Sequence, residues 1–230
     1  MLADFVWIFR KFRPDVVITR FNDTPGITHG HHTASAMLAK EAFKLSGDRK
    51  AFPEQLNYVN EWQPKKLFWN TSWWFYRNSG QKMDTASLTT INVGKYNPLL
   101  GESYTEIAAK SRSMHKSQGF GSSGSRGDQI EYLEQWEGNQ TSQVFSDIDT
   151  SWERVEGSEE VAFYINKALK MYDETDPEQI IPPLMAARKA LSQIKSKFWK
   201  EVKTKELDEL IVSLSGLYVS LSSDAPNYSS

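Results

Sequence analysis

The sequence predicts an α/β protein, a partial doubly wound parallel sheet over residues 1–125 followed by a mainly helical region over residues 126–230. Three observations predict it. Val16-Val17-Ile18-Thr19 is an unbroken run of the kind that a strand covered on both faces requires. Segments with helical spacing stand on either side of that run, which is one step of a doubly wound fold. Beyond a Gly/Ser-rich stretch at residues 119–127, apolar residues recur at helical intervals.

Residues 3–12 place Phe5, Ile8, Phe9 and Phe12 at helical spacing, and Pro14 ends the helix because it offers no backbone donor. The strand at 15–21 follows, then a loop at 22–28 with Pro25 and Gly26. Residues 33–45 form the next helix, with Ala36, Met37, Ala39 and Phe43 for its inner face and Gly47 to close it. Strands are expected at 66–70 and 86–93, and a helix at 103–116 with Glu102 and Glu106 near its positive end. Further helices are expected at 161–172, 177–198 and 205–220, the last with a stripe of Leu207, Leu210, Ile211, Leu214 and Leu217. A domain boundary falls in the Gly/Ser-rich loop, near residue 125.

Composition narrows the function classes. Twenty-seven basic and twenty-nine acidic side chains leave a net charge of −2, with no basic stripe to follow a phosphate backbone, so nucleic acid is not the expected partner. No apolar run approaches the roughly 20 residues that span a bilayer. With no cysteine, any metal must be held by imidazole or carboxylate.

Four histidines occur, and three of them, His29, His31 and His32, fall in one four-residue window. Residues three apart return to nearly the same side of a helix, so His29 and His32 are expected to face one site and His31 to point elsewhere. Neutral imidazoles at that spacing suit a transition metal, and a catalytic zinc needs three protein ligands plus an open position. On residue chemistry alone, a metal site and a pair of solvated or helix-capping histidines are equal readings. Asp23, on the same loop, is a candidate site carboxylate as well as an ordinary turn residue. The aromatics Trp69, Trp73, Trp74, Phe75 and Tyr76 suit either a sugar-stacking surface, with Trp73 and Trp74 as its platform, or a core and domain contact.

Several segments resemble one family. Arg13-Pro14-Asp15-Val16-Val17-Ile18-Thr19, followed by His29-Gly30-His31-His32-Thr33-Ala34, is similar to the later metal motif of the PIG-L (LmbE-like) N-acetylglucosaminyl deacetylases. Ser111-Arg112-Ser113-Met114-His115-Lys116-Ser117-Gln118 resembles the end of that family's late helix, and Trp62-Gln63-Pro64-Lys65-Lys66-Leu67 the segment feeding its next strand. The resemblance covers roughly residues 1–125 and is nearest to long bacterial members with further domains. It implies a Rossmann-like LmbE-type fold and zinc-dependent removal of an acetyl group from an amino sugar or glycoconjugate. It implies His32 as metal ligand, His29 as the catalytic histidine at the oxyanion or departing amine, and His115 as a candidate site-wall residue.

The family's first motif, His-Pro-Asp-Asp, supplies its acidic ligands and base and occurs nowhere in this sequence. The expectation is an N-terminally truncated, inactive piece that binds zinc weakly. The alternative is a non-catalytic carbohydrate-binding or interaction module built on the aromatic segment.

Overall fold

A computed structural model of the chain describes residues 1–76, 82–98, 100–118 and 121–216. The helices are α1 (Leu2–Phe12), α2 (Gly30–Leu45), the single turn α3 (Trp73–Tyr76), α4 (Tyr104–Ser113), α5 (Glu159–Met171), α6 (Ile181–Ala190) and α7 (Lys197–Leu214). The strands are β1 (Val16–Thr19), β2 (Lys66–Thr71), β3 (Thr89–Asn92), β4 (Tyr96–Asn97), β5 (Glu102–Ser103) and β6 (Ile130–Glu137). Two compact units result: residues 1–96 with 103–148, and residues 97–102 with those from Asp149 onward.

The α/β class is as the sequence predicts, but the sheet is mixed. Its order is β1-β2-β6-β3, and only β1 and β2 run parallel, in the register Val16↔Lys66 to Thr19↔Trp69. β6 pairs antiparallel with both β2 and β3. No strand was expected at 130–137, where Ile130, Tyr132, Leu133 and Trp136 are mixed with three glutamates and Gln135 without strict alternation. Because β6 sits inside the sheet, the first unit continues to Ile148 rather than ending near residue 125.

β1 is an edge strand, so the double covering inferred from its β-branched run is not realised: Ile18 is half exposed. The helices α1 and α2 cover the other face, where Val6, Phe9, Ala42, Phe43 and Leu67 form one core with Val17 and Trp136 against it. Ile8 and Phe12 of α1 and Met37 of α2, expected inside, are exposed. The second face of the sheet carries Phe68, Leu133 and Val144. Lys66 fastens Val144 there: its buried ammonium donates to Thr141 Oγ1 at 2.8 Å and to the carbonyls of Gln143, Val144 and Ser146. Gly138, at φ 94°, turns β6 out so close to β2 that a Cβ there would lie 2.1 Å from the Lys65 carbonyl oxygen.

One side chain joins the two covering helices. Arg10, on α1, is fully buried and donates to six uncharged oxygens: the carbonyls of Leu45, Ser46, Asp48, Ala51 and Phe52, and Gln55 Oε1. The first two of those carbonyls close α2, whose last turn has no intrahelical donors for them. Burial is the largest influence on Arg10 and draws its pKa below the ordinary arginine value, while the nearby charges of Glu61, Asp48 and Glu54 act the other way.

α4 starts where Ser103 caps it. Ser103 Oγ accepts from the Glu106 backbone N–H at 3.3 Å, and Glu106 Oε2 accepts from the Ser103 N–H at 2.8 Å, a reciprocal capping box. Arg126 Nε adds a 2.8 Å bond to the same carboxylate.

In the second unit, the single helix expected at 177–198 ends at Ala190, and Ile194 is extended. α7 begins at Lys197, eight residues before the expected 205, because Ser196 caps it by accepting from the Trp199 N–H. The stripe residues Leu207, Leu210, Ile211 and Leu214 do join the core of the second unit, where α7 contacts α6, as helix packing predicts; Leu217 and residues to 220 lie outside the described residues. Among the described residues no helix is long and apolar enough to cross a membrane.

Two outcomes follow for stability. Replacing Arg10 by Met removes the donor to the Ala51 carbonyl and to Gln55 Oε1 and the second donor to the carbonyls of Leu45, Ser46, Asp48 and Phe52, and should lower stability by on the order of 3–5 kcal/mol. Thermal denaturation of the full chain should then show the midpoint falling by about 10 °C. The Glu106 carboxyl is held down to about 2, chiefly by the Ser103 N–H and then by Arg126. A depressed carboxylate stabilises the fold above its unfolded pKa and loses that contribution as pH falls through the folded value. Circular dichroism of the wild type should therefore show loss of helix between about pH 4.5 and 2 that Glu106→Gln, lacking the titration, does not show in that window.

Candidate metal centre

The only parallel pair in the sheet sets the position of the candidate site. β1 ends at Thr19 and β2 at Thr71, side by side, and the segments that leave these two carboxyl ends carry all but one of the residues singled out from the sequence. Ligands collect at such ends in α/β folds.

From β1 the chain turns through residues 20–29 into α2, which starts three residues earlier than the expected Thr33. His29 is the N-cap, extended at φ −62° and ψ 148°, and makes no side-chain capping bond. Its carbonyl accepts from the backbone N–H groups of His32 and Thr33, and Thr28 Oγ1 meets Thr33 Oγ1 at 3.2 Å. His31 and His32 lie in the first turn.

All three imidazoles converge. Ring centroids are 5.7 Å apart for His29 and His32, 5.8 Å for His29 and His31, and 4.0 Å for His31 and His32. One ring nitrogen from each residue lies within 4.8 Å of the others, and among the described residues this is the group of histidine, aspartate and glutamate side chains arranged to hold a metal ion. The convergence of His29 and His32 agrees with their spacing. His31 departs from the expectation that it points away: face rules hold within a helix body, whereas at the helix mouth an extended N-cap and the next residues lean over the same open end.

Phe21 backs the cluster. Its ring stacks on His32 at 3.8 Å with an interplanar angle of 11°, which leaves His32 half-buried while His29 and His31 are exposed. Desolvation first, then the like charges of His31 and His29, push the His32 pKa below the ordinary histidine value. The positive end of the α2 dipole acts in the same sense. His32 is therefore neutral at pH 7, with a nitrogen lone pair available as a donor.

The remaining candidates are placed as follows. Asp23 stands on the loop but its carboxylate is taken by Lys40 of α2 at 2.7 Å, and Lys40 in turn lies 4.6 Å over the Trp136 ring. This bridge holds the loop to the helix. Trp73 and Trp74 lie on α3, directly after β2, and are 55% and 46% exposed. His115 follows α4, is exposed, has Nδ1 3.3 Å from Ser117 Oγ, and is not one of the converging groups.

Residues that sequence reasoning missed lie on the opposite face of the same sheet end. Arg20 Nη1 donates to Asn70 Oδ1, and Asn70 Nδ2 donates to Glu131 Oε2 at 2.9 Å. Asn70 pairs with Leu133, which places this network on the side away from α2. Its only signal in the sequence is polar residues at the ends of two strands. Phe75 spans the end of the sheet, 5.1 Å from the Trp69 ring and 5.9 Å from the Arg20 guanidinium.

Comparison with protein families, with curated proteins and with solved structures finds no match for this chain.

Removing the Phe21 ring exposes the face of His32 that it covers. In Phe21→Ala the His32 pKa should rise toward the ordinary histidine value of about 6.5, read from the imidazole proton shifts in an NMR titration, while a titration unchanged from wild type would refute Phe21 as the cause.

Proposed function

We propose that the chain carries the histidine-bearing part of a metal-dependent hydrolase, one that removes the acetyl group from an N-acetylglucosamine-type sugar or glycoconjugate. The observation that carries this reading is the convergence of three imidazoles at the carboxyl end of the parallel strand pair. The motif resemblance supplies the rest: PIG-L deacetylases place a ligand histidine where His32 stands, zinc is their metal, and an LmbE-like fold is the finer description of the α/β unit.

The donor set fits a divalent ion, because neutral imidazoles are ligands for zinc and its neighbours. Such an ion, when bound, supplies a Lewis acid for the amide carbonyl and acidifies a water. The protein's own contributions are distinct. Phe21 stacks on His32, whose pKa is lowered first by burial. The Asp23–Lys40 bridge holds the loop against α2, so that the cluster keeps its place at the strand end. Trp73 and Trp74, exposed at the neighbouring strand end, offer aromatic faces of the kind on which pyranose rings stack.

No acidic group joins the cluster among the described residues. Asp23 is occupied by Lys40, and full turnover therefore needs a base beyond those that converge here. Substrate recognition is the sharper test. Tryptophan fluorescence titrated with N-acetylated chitotriose should show affinity raised several-fold by zinc, with the zinc effect lost in His32→Ala. Trp73→Ala should weaken binding with and without metal. Equal affinity for the sugar in the presence and absence of zinc would overturn the hydrolase reading and favour the carbohydrate-binding module.

A further inference from the structure

We infer that His29, His31 and His32 by themselves form a three-nitrogen binding site for a late first-row divalent ion, with His31 as a ligand that the family motif does not provide. The inference goes beyond the hydrolase reading and stands on the geometry of the helix mouth alone. It also changes one role. The ring nitrogen that holds a metal cannot also take up a proton, so His29, which the resemblance makes the catalytic group, is here a ligand.

Four observations carry it. The three donor nitrogens already lie within 4.8 Å of one another, whereas ligands on a tetrahedral ion at about 2.0–2.1 Å are roughly 3.3–3.4 Å apart. The difference is closed by side-chain rotation alone, since His29 and His31 are exposed and, among the described residues, no hydrogen bond holds the three rings. The backbone is already ordered: the first turn of α2 is bonded to the His29 carbonyl, and His32 is held by the Phe21 ring. The donors are nitrogen only, in a chain without cysteine, which selects ions of the cobalt-to-zinc series over magnesium or calcium, whose ligands are oxygens.

One force opposes binding. The helix N-terminus carries the equivalent of about half a positive charge, and it faces the ion. The net expectation is a 1:1 site of moderate affinity rather than a tight structural centre.

The test is metal binding by the full chain, without sugar. Calorimetric titration with Zn2+ should give one site per chain. His29→Ala, His31→Ala and His32→Ala should each weaken it by about tenfold or more, given that loss of groups merely supporting a ligand already costs 10–100-fold. His115→Ala should leave it unchanged. With Cu2+ in place of zinc, electron paramagnetic resonance should resolve coupling to three nitrogens, falling to two in His31→Gln, and far-UV circular dichroism will show whether each variant keeps its helices. Wild-type affinity in both His31→Ala and His31→Gln would overturn the inference, as would equal binding by all four alanine variants. Because no sugar is present, binding that passes this test while the chitotriose affinity ignores zinc refutes the hydrolase reading and leaves the metal site standing.

Discussion

The buried guanidinium of Arg10 is the constraint on which the first unit depends. It reaches from α1 to the closing carbonyls of α2 and to the turn beyond, and every oxygen it binds is uncharged. A guanidinium offers five donors in a rigid fork, so saturating it fixes orientation as well as distance. α2 is about 24 Å long, and pinning its carboxyl end against α1 determines where its amino end meets the sheet. That amino end carries the histidines. Lys66 does the equivalent on the other face, where an ammonium shared among carbonyls holds the segment around Val144 over Phe68 and Leu133. Both cations bind mainly backbone carbonyls rather than carboxylates, so each organises the ends of elements and the loops that follow them.

The histidine cluster illustrates opposed electrostatics in a small space. Desolvation first, then the like charges of His31 and His29, lower the pKa of His32, on which the Phe21 ring stacks. The result is a concentration of nitrogen donors at one helix end. Acidic groups are near in sequence and in the fold, yet each is engaged: Asp23 by Lys40, and Glu131 by Asn70 across the sheet. Among the described residues the convergent donors are therefore nitrogens alone.

The α/β class, the edges of α1 and β2, and the clustering of His29 and His32 were legible in the sequence because each rests on local periodicity or spacing. β6 was not, since its mixture of glutamates and apolar residues without a period-2 pattern reads as a polar stretch until β2 and β3 stand on either side of it. The break between α6 and α7 was expected at 199–204 and lies earlier for a related reason: Ser196 is one serine among many, and only its bond to the Trp199 N–H makes it a cap.

By itself, the sequence determined which atoms are available: three imidazoles beside a strand end, no thiol, and an unbroken β-branched run leading to them. Tertiary structure decided which of those atoms meet. It made β1 an edge strand, reversed β6, sent Asp23 to Lys40 and brought His31 into the cluster. The physical reason is range. Periodicity and capping act over a few residues, while strand order, ion pairing and the convergence of rings at a helix mouth depend on chain segments far apart in sequence, and no local pattern encodes those distances.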